Sequence, residues 1–507
     1  MVMCDMLRVP VDAVYGVELV TTHRVVTKFV GEDEYRDFLR RVVEAVDGGG
    51  DCGVVCLDFG KAFDAVPHGA LVGKMEAHGI GGAMLETESW CGWGWAVPLV
   101  VTIVFAEVIA RYLMGRPARV NQVFSSFGIG ILHESAGLVT ASFGVASYQM
   151  LYQYRLWELP WDSPYTWFGA FIFVDFCYYW IHRANHELNV LWAIHQVHHS
   201  SEDFDFATAT RISMFQRPAN MCCYQPLALL GFPLPSVVVH IALNYVFQIW
   251  VHTEYIGSLG PIGWIFMTPS HHRVHHGANK WCLDKNYASV LIIWDRIFGT
   301  FEGERDQEEI VYGLTQQPQT HNVLWHQFFY FAEVYRKARS MSSWGDSLRS
   351  VFYGPGWAPG TPRLGDPLTF TDVQAPRPKY DPQLPLWQFM YVSTHMALSF
   401  IAQQLMCFNF QILSLEAVVT CQIFIFVTVG VMSAMYDGWF WAPMVEAMRC
   451  AAVIAYSSTT SITAIPDVDT ALLLYFTASF TLWISKALAI VLGTNLTNKT
   501  MQNIPKL

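Results

Sequence analysis

Long, nearly uncharged apolar stretches recur along this 507-residue chain and constrain its fold more than any other feature. The clearest are 95–113, 124–146, 165–181, a proline-interrupted pair at 222–251, then 386–408, 412–435 and 472–492. A bilayer core asks for about 17 to 25 apolar residues per helical crossing. The stretch 439–455 is a weaker candidate, because Glu446 and Arg449 interrupt it. Hydrophobic residues make up 53% of the chain and charged ones 14%, against roughly a quarter charged in soluble domains. The expectation is a mostly α, polytopic helical membrane protein in which lipid covers much of the surface.

The formal charge of −11 is modest for this length and gives no reason to expect nucleic acid as a partner. Eleven cysteines are scattered without a C-x-x-C pair, and only Cys222 and Cys223 adjoin. That usage fits reduced thiols in a compartment open to the cytosol. Residues 1–46 lack a basic start followed by an apolar core, so insertion is expected to rely on internal segments. After the first span, "RYLMGRPAR" carries Arg111, Arg116 and Arg119 with no acid, whereas "YQYRLWELPWDSP" after the second mixes one Arg with two acids. The positive-inside rule puts the first loop in the cytosol, and with it the end of the third span at His182.

The first ninety residues have another character. "VVCLDFGKAFDAVPHGAL" resembles the first palm motif of reverse transcriptases from LINE-type retroelements, in which an Asp at the position of Asp58 holds magnesium. Two-metal polymerase chemistry needs further carboxylates, and the chain contains no Tyr-x-Asp-Asp beyond this motif. The expected organisation is a non-functional α+β fragment at 1–90, a catalytic domain at 91–340, a Pro/Gly-rich linker at 341–385 and membrane helices at 386–507.

Eleven of the 18 histidines fall between His182 and His276. They form His182-x3-His186, then His195-x2-His198-His199, then His272-x2-His275-His276, with His252 between the last two groups. Helical residues three or four apart share a face, and neutral imidazole is a strong ligand for transition metals. Nine histidines exceed what one ion takes, so two metals sharing them is the economical reading. A haem site would want single histidines on facing helices rather than H-x-x-H-H triplets. His133, His240 and His395, isolated among apolar residues, read as packing or interfacial side chains.

The three boxes and their placement around apolar hairpins resemble the membrane fatty acid hydroxylase superfamily, which includes sterol desaturases and lipid hydroxylases. "VDFCYYWIHRANHELNVLWAIHQVHHSSEDFDFATATR", "MTPSHHRVHHGANKWCLDKNYASVLIIWDRIFGTFEGE" and "VYGLT" are most similar to its alkylglycerol monooxygenase branch. The resemblance runs from about residue 93 to the C-terminus. It implies two iron ions, with His182, His186, His195, His198, His199, His252, His272, His275 and His276 as ligand candidates. Some members carry a further His one turn before the equivalent of His252; here that place is Gln248, leaving a position for water or a carboxylate such as Glu187. A salt bridge from Glu187 to Arg183 is the competing expectation. Asp175, two turns before His182, is expected to hydrogen-bond toward the site. Asn286 and Asp295 match the family's tail motif and either orient ligands or pin that segment. The resemblance further implies tetrahydrobiopterin as reductant, O2 and an alkylglycerol or lyso-ether lipid as substrates, and the endoplasmic reticulum membrane as location. The alternatives are a sterol or fatty acyl hydroxylase or desaturase fed by cytochrome b5, and a non-enzymatic metal transporter or sensor.

Overall fold

The computed structural model describes residues 19–21, 24–26, 93–410, 412–463 and 465–492. The chain divides into two compact units, Met1–Gly82 and Ala83–Leu507. The described part of the first is one antiparallel pair, β1 (Leu19–Thr21) and β2 (Arg24–Val26). The reverse-transcriptase-like segment, Asp58 included, lies outside the described residues.

The described residues of the second unit form helices and no β-strand. They run α1 (Trp93–Leu113), α2 (Val120–Tyr152), α3 (Pro164–Glu187), α4 (Asn189–His199), α5 (Phe206–Ala209), α6 (Gln216–Leu229) and α7 (Leu234–Val251). Then come α8 (Pro269–His276), α9 (Ile293–Phe298), α10 (Val323–Arg339), α11 (Trp344–Phe352), α12 (Leu386–Asn409), α13 (Leu415–Tyr436), α14 (Ala442–Ser457) and α15 (Pro466–Val491). By length and composition α2, α7, α13 and α15 suffice to cross a membrane. Three of the other expected spans are more polar for a visible reason. α3 ends in histidines, α6 carries Gln216, Arg217 and Asn220, and α12 carries His395, Gln403 and Gln404.

α2 is the central strut, packed against α6, α12 and α13. Small residues let its neighbours approach, as in other membrane helix pairs. A Cβ on Gly128 would stand 2.9 Å from Val323, one on Gly137 1.8 Å from the Arg217 guanidinium, and one on Gly144 2.0 Å from Met221. Phe124, Ile131 and Leu132 of α2 join Met396, Val429, Met432, Tyr436 and Trp483 in one apolar cluster. A second cluster, with Val145, Val174, Leu227, Val237 and Ile241, fills the space between α2, α3, α6 and α7.

The charges that weaken 439–455 as a span are matched inside the bundle. Arg449 donates to Glu446 at 2.8 and 2.6 Å and reaches Nδ1 of His395 at 3.0 Å. A buried charge of this kind persists only when paired.

The expected linker is more structured than its composition suggested. Residues 344–352 form α11, capped by the Ser343 hydroxyl on the amide of Asp346 at 3.0 Å. The stretch from Arg377 to Tyr380 is strapped to the catalytic half. Lys379 pairs with Asp203 at 2.6 Å, Arg377 donates to the Leu314 carbonyl at 2.7 Å, and the Tyr380 amide donates to Glu202 at 3.0 Å. Arg119, one of the three arginines of the first loop, is itself consumed here by Asp203 at 2.8 Å and the Tyr380 carbonyl at 2.9 Å.

Gly231 turns the chain between α6 and α7 at φ +86°, and a Cβ there would meet the Trp157 carbonyl oxygen at 1.9 Å. Both the left-handed backbone and the backbone contact exclude side chains. Gly231→Ala is expected to lower the apparent unfolding midpoint of detergent-purified protein, equivalent to about 2 kcal/mol or more. An unchanged thermal melt would show that this turn is not required.

Candidate metal centre

Four short pieces of helix bring the histidines together. His182 and His186 sit one turn apart at the end of α3. Leu188, at φ −120° and ψ 118°, breaks the helix and lets α4 fold back carrying His195, His198 and His199. His252 caps α7, and α8, capped by Thr268, carries His272, His275 and His276.

All nine converge, and they sort into two groups. His182, His186, His195, His199 and His275 form one; His198, His252, His272 and His276 form the other. In each, one ring nitrogen per residue lies within 4.8 Å of all the rest. The sorting follows helical geometry. Adjacent residues point about 100° apart, so His198 and His199 serve different groups, as do His275 and His276. The two groups meet where the His199 and His276 rings stack, 4.4 Å apart and 21° from parallel.

Outer hydrogen bonds fix which nitrogen faces inward. Nδ1 of His182 donates to the Tyr287 carbonyl at 2.7 Å, that of His275 to Lys285 at 2.8 Å, that of His252 to Gln248 at 2.7 Å, and that of His198 to Arg211 at 3.2 Å. A carbonyl only accepts, so each Nδ1 holds the proton and each neutral ring presents a lone pair at Nε2. Nε2 of His252 and His198 then face each other at 3.3 Å with no proton between them. His182 and His195 do the same at 3.0 Å, the Nδ1 of His195 being held by the Gln216 oxygen at 3.0 Å. Opposed lone pairs at that range repel unless a cation lies between. Nε2 of His186, His275 and His276 are likewise buried without a hydrogen-bond partner. This donor set fits two transition-metal ions held by imidazole.

Burial keeps the rings neutral, as ligands must be. It lowers His195 and His252 to about 4 and His275 to about 3. His199, His272 and His276 are also held well below the usual imidazole value, by burial first and by neighbouring imidazoles second.

One turn outside the boxes positions three rings of the five-histidine group. Asp284 and Asn286 adopt left-handed φ values of 58° and 56°. The carbonyls of Lys285 and Tyr287, one after each, accept from His275 and His182, and Oδ1 of Asp284 lies 3.5 Å from Nδ1 of His186. Asp284 is not among the residues singled out from the sequence. Its signal was the spacing Asp-x-Asn, the two residue types besides glycine that visit this conformation most readily.

The carboxylates and amide singled out from sequence act at one remove. Asn286 donates to the carbonyls of His271 and Glu302 at 3.0 and 2.7 Å and accepts from the Glu302 amide at 2.9 Å. Asp295 accepts from the amides of Tyr287 and Ala288, both at 2.8 Å. Asp175 was expected to reach toward the histidines. Its carboxylate instead takes the amides of Val290 and Leu291 at 3.0 and 3.1 Å and the Trp294 indole at 3.0 Å. The reason is proximity: the 290–294 segment packs on α3 at that level, and its unpaired amides are the nearer donors. Glu187 pairs with Arg183 at 2.7 Å and with Arg363 of the segment expected as a linker, so both its oxygens are engaged away from the rings. Gln248 accepts from the Tyr178 hydroxyl at 2.7 Å and donates to Asn244 at 2.6 Å. Nδ1 of His133 meets the Ser213 carbonyl 2.9 Å away, and His240 packs on Trp167 and Phe171.

A cavity opens from both groups, at His182, His195, His198 and His252, into the spans. Its walls are apolar at Val100, Phe127, Ile131, Ile249 and Phe400 and polar at Tyr178, Asn185, Gln216, Asn220 and Gln248.

Helices able to cross a membrane, a doubled imidazole centre and a cavity among the helices fit a membrane hydroxylase of the histidine-box class. In agreement, residues 167–300, which contain all nine histidines, match the fatty acid hydroxylase family model. Alkylglycerol monooxygenase from Xenopus tropicalis is 38% identical over 354 residues, 69% of this chain and 78% of that protein. The Danio rerio protein is 36% identical over 362 residues, 71% and 80% of the two chains. The Homo sapiens protein is 45% identical over 274 residues, and the match spans 53% of this chain and 61% of the human one. The chain belongs to the alkylglycerol monooxygenase family. No solved structure matches it.

Purified protein is expected to carry about two metal ions per chain. His275→Ala and His276→Ala should each reduce that to one or fewer by elemental analysis. His271→Ala should leave it unchanged, since that ring packs on Phe301 outside both groups. Equal loss in all three variants would refute the assignment.

Proposed function

We propose that this chain is a membrane di-iron monooxygenase that cleaves alkylglycerol ethers. The observation that carries the reading is the facing of unprotonated Nε2 atoms across two buried imidazole groups that open into a lipid-level cavity. Likeness to alkylglycerol monooxygenases over about 70% of the chain supports the substrate class. His182, His186, His195, His199 and His275 would hold one iron, and His198, His252, His272 and His276 the other. A bound ferrous pair supplies O2 activation and insertion of one oxygen atom into a C–H bond.

The protein's own part is binding, orientation and exclusion of water. The apolar wall of Val100, Phe127, Ile131 and Phe400 takes an alkyl chain from the bilayer, and the imidazole end receives the ether. Hydroxylation of the carbon next to the ether oxygen gives a hemiacetal, which collapses to a fatty aldehyde and glycerol. The second oxygen atom leaves as water with two electrons and two protons from the reductant, which we take to be tetrahydrobiopterin. The site faces the cytosol in this reading, on the strength of Arg111, Arg116 and Arg119, and the membrane is that of the endoplasmic reticulum. Residues 1–90 are a passenger.

Membranes holding the protein should release fatty aldehyde from an alkylglycerol given O2 and tetrahydrobiopterin. His199→Ala should lower that rate by at least about a hundredfold, the upper range for disturbing a metal shell. Deleting residues 1–85 should leave it intact. Equal turnover with NADH and cytochrome b5 alone would transfer the assignment to the sterol and fatty acyl hydroxylases.

A further inference from the structure

A chain of amides leads from the histidines into the cavity, and its polarity is fixed at the metal end. The Nδ1 proton of His195 requires the oxygen of Gln216. That turns Nε2 of Gln216 to the oxygen of Asn220, at 2.7 Å. Nδ2 of Asn185 donates to the same oxygen at 3.3 Å. Asn185 is thereby left with its Oδ1 pointing the other way. That atom is buried and has no hydrogen-bond partner, in a residue only 1% exposed that lines the cavity beside His182 and His195.

An amide oxygen in this position is a site for a donor. A buried acceptor without one is unfavourable, and reversing the amide would face its NH2 toward nothing while breaking the bond to Asn220. We infer that Asn185 accepts a hydrogen bond from a hydroxyl of the lipid's glycerol head, and so selects hydroxylated ethers and sets their place against the His182 and His195 rings. The inference rests on the ether-cleaving reading and adds to it the residue that recognises the head. A fatty acid carboxylate offers no donor and is repelled by the same oxygen. An alkyl head with no hydroxyl leaves it unpaired. Asn185 touches substrate in this account only as a specificity residue; the proton and electron steps do not involve it.

The test compares a 1-O-alkylglycerol with its two monodeoxy analogues, each lacking one hydroxyl, as substrates of the full chain in membranes. Wild-type protein should prefer the glycerol to one of the analogues by about 10- to 100-fold in kcat/KM, the range for leaving a buried polar group unpaired. Asn185→Leu should retain its metal by elemental analysis yet lose that preference, mostly through KM, and Asn185→Asp, which keeps an acceptor, should restore part of it. If Asn185→Leu loses metal, Asn185→Ala is measured in its place. Should that variant turn over too slowly, the thermal shift given by each ether replaces kcat/KM. An unchanged preference in the variant overturns the inference, as does a wild-type protein indifferent to both hydroxyls, which would make this a water site only. If wild-type protein cleaves none of the ethers, the ether-cleaving reading itself has failed. Cleavage with unaltered selectivity sinks the head-group inference alone.

Discussion

Nine buried imidazoles, with lone pairs opposed at His182 and His195 and again at His198 and His252, are an unfavourable thing to bury, and the architecture around them holds that arrangement. Backbone carbonyls do most of the holding. Tyr287, Lys285, Gln248 and Arg211 each take an Nδ1 proton, which fixes the tautomer and leaves Nε2 to face inward. A carbonyl that no helical amide has claimed is the readiest acceptor for a side chain. Accordingly each comes from a helix end or an irregular segment, and those segments need support of their own. Asp295 gives it by binding the amides of 287 and 288, Asp175 by binding those of 290 and 291, and Asn286 by bridging 271 and 302. The cost of the polar centre is thus spread outward through a shell of carboxylates and amides that never touch a ring nitrogen.

The same demand shapes the membrane part. α3 and α6 stay polar at the ends that meet the histidines, and α6 is tolerated among the spans because α2 covers it. Its glycines bring Arg217 and Met221 close enough to seal that face. The late helices close the other side of α2 through Met396, Val429 and Tyr436. The Pro/Gly-rich segment then returns across acids just beyond the second histidine box, with Lys379 on Asp203 and Tyr380 on Glu202. Strap, late spans and centre are therefore mechanically one body within this unit.

Much of this is legible in the chain. Apolar runs locate the helices, and the i, i+4 spacing of 182 with 186 and 195 with 199 places those pairs on common faces. The division into five and four is not legible. Helical geometry separates neighbours such as 198 and 199, but which rings then join across helices depends on how α4 and α8 meet, which no local pattern encodes. Asp284 escapes notice because a box motif directs attention to histidines, whereas this residue acts through backbone conformation and a single 3.5 Å contact. Asp175 stands out as a charge that needs a partner, but its partners are two backbone amides and neutral side chains such as the Trp294 indole, invisible to a search for ion pairs. The linker misleads for the opposite reason. Proline and glycine mark irregular backbone, and irregular backbone can still be pinned at several points, as at Arg377 and Lys379.

The last box, on α8, supplies a ring to both groups, His275 to one and His272 with His276 to the other. Neither group closes until residue 276 has left the ribosome and folded back on α3 and α4. A chain stalled or truncated earlier would insert its first spans yet hold no complete pair of metal sites. One short helix thus serves both groups, so a change that displaces α8 takes rings from the two at once.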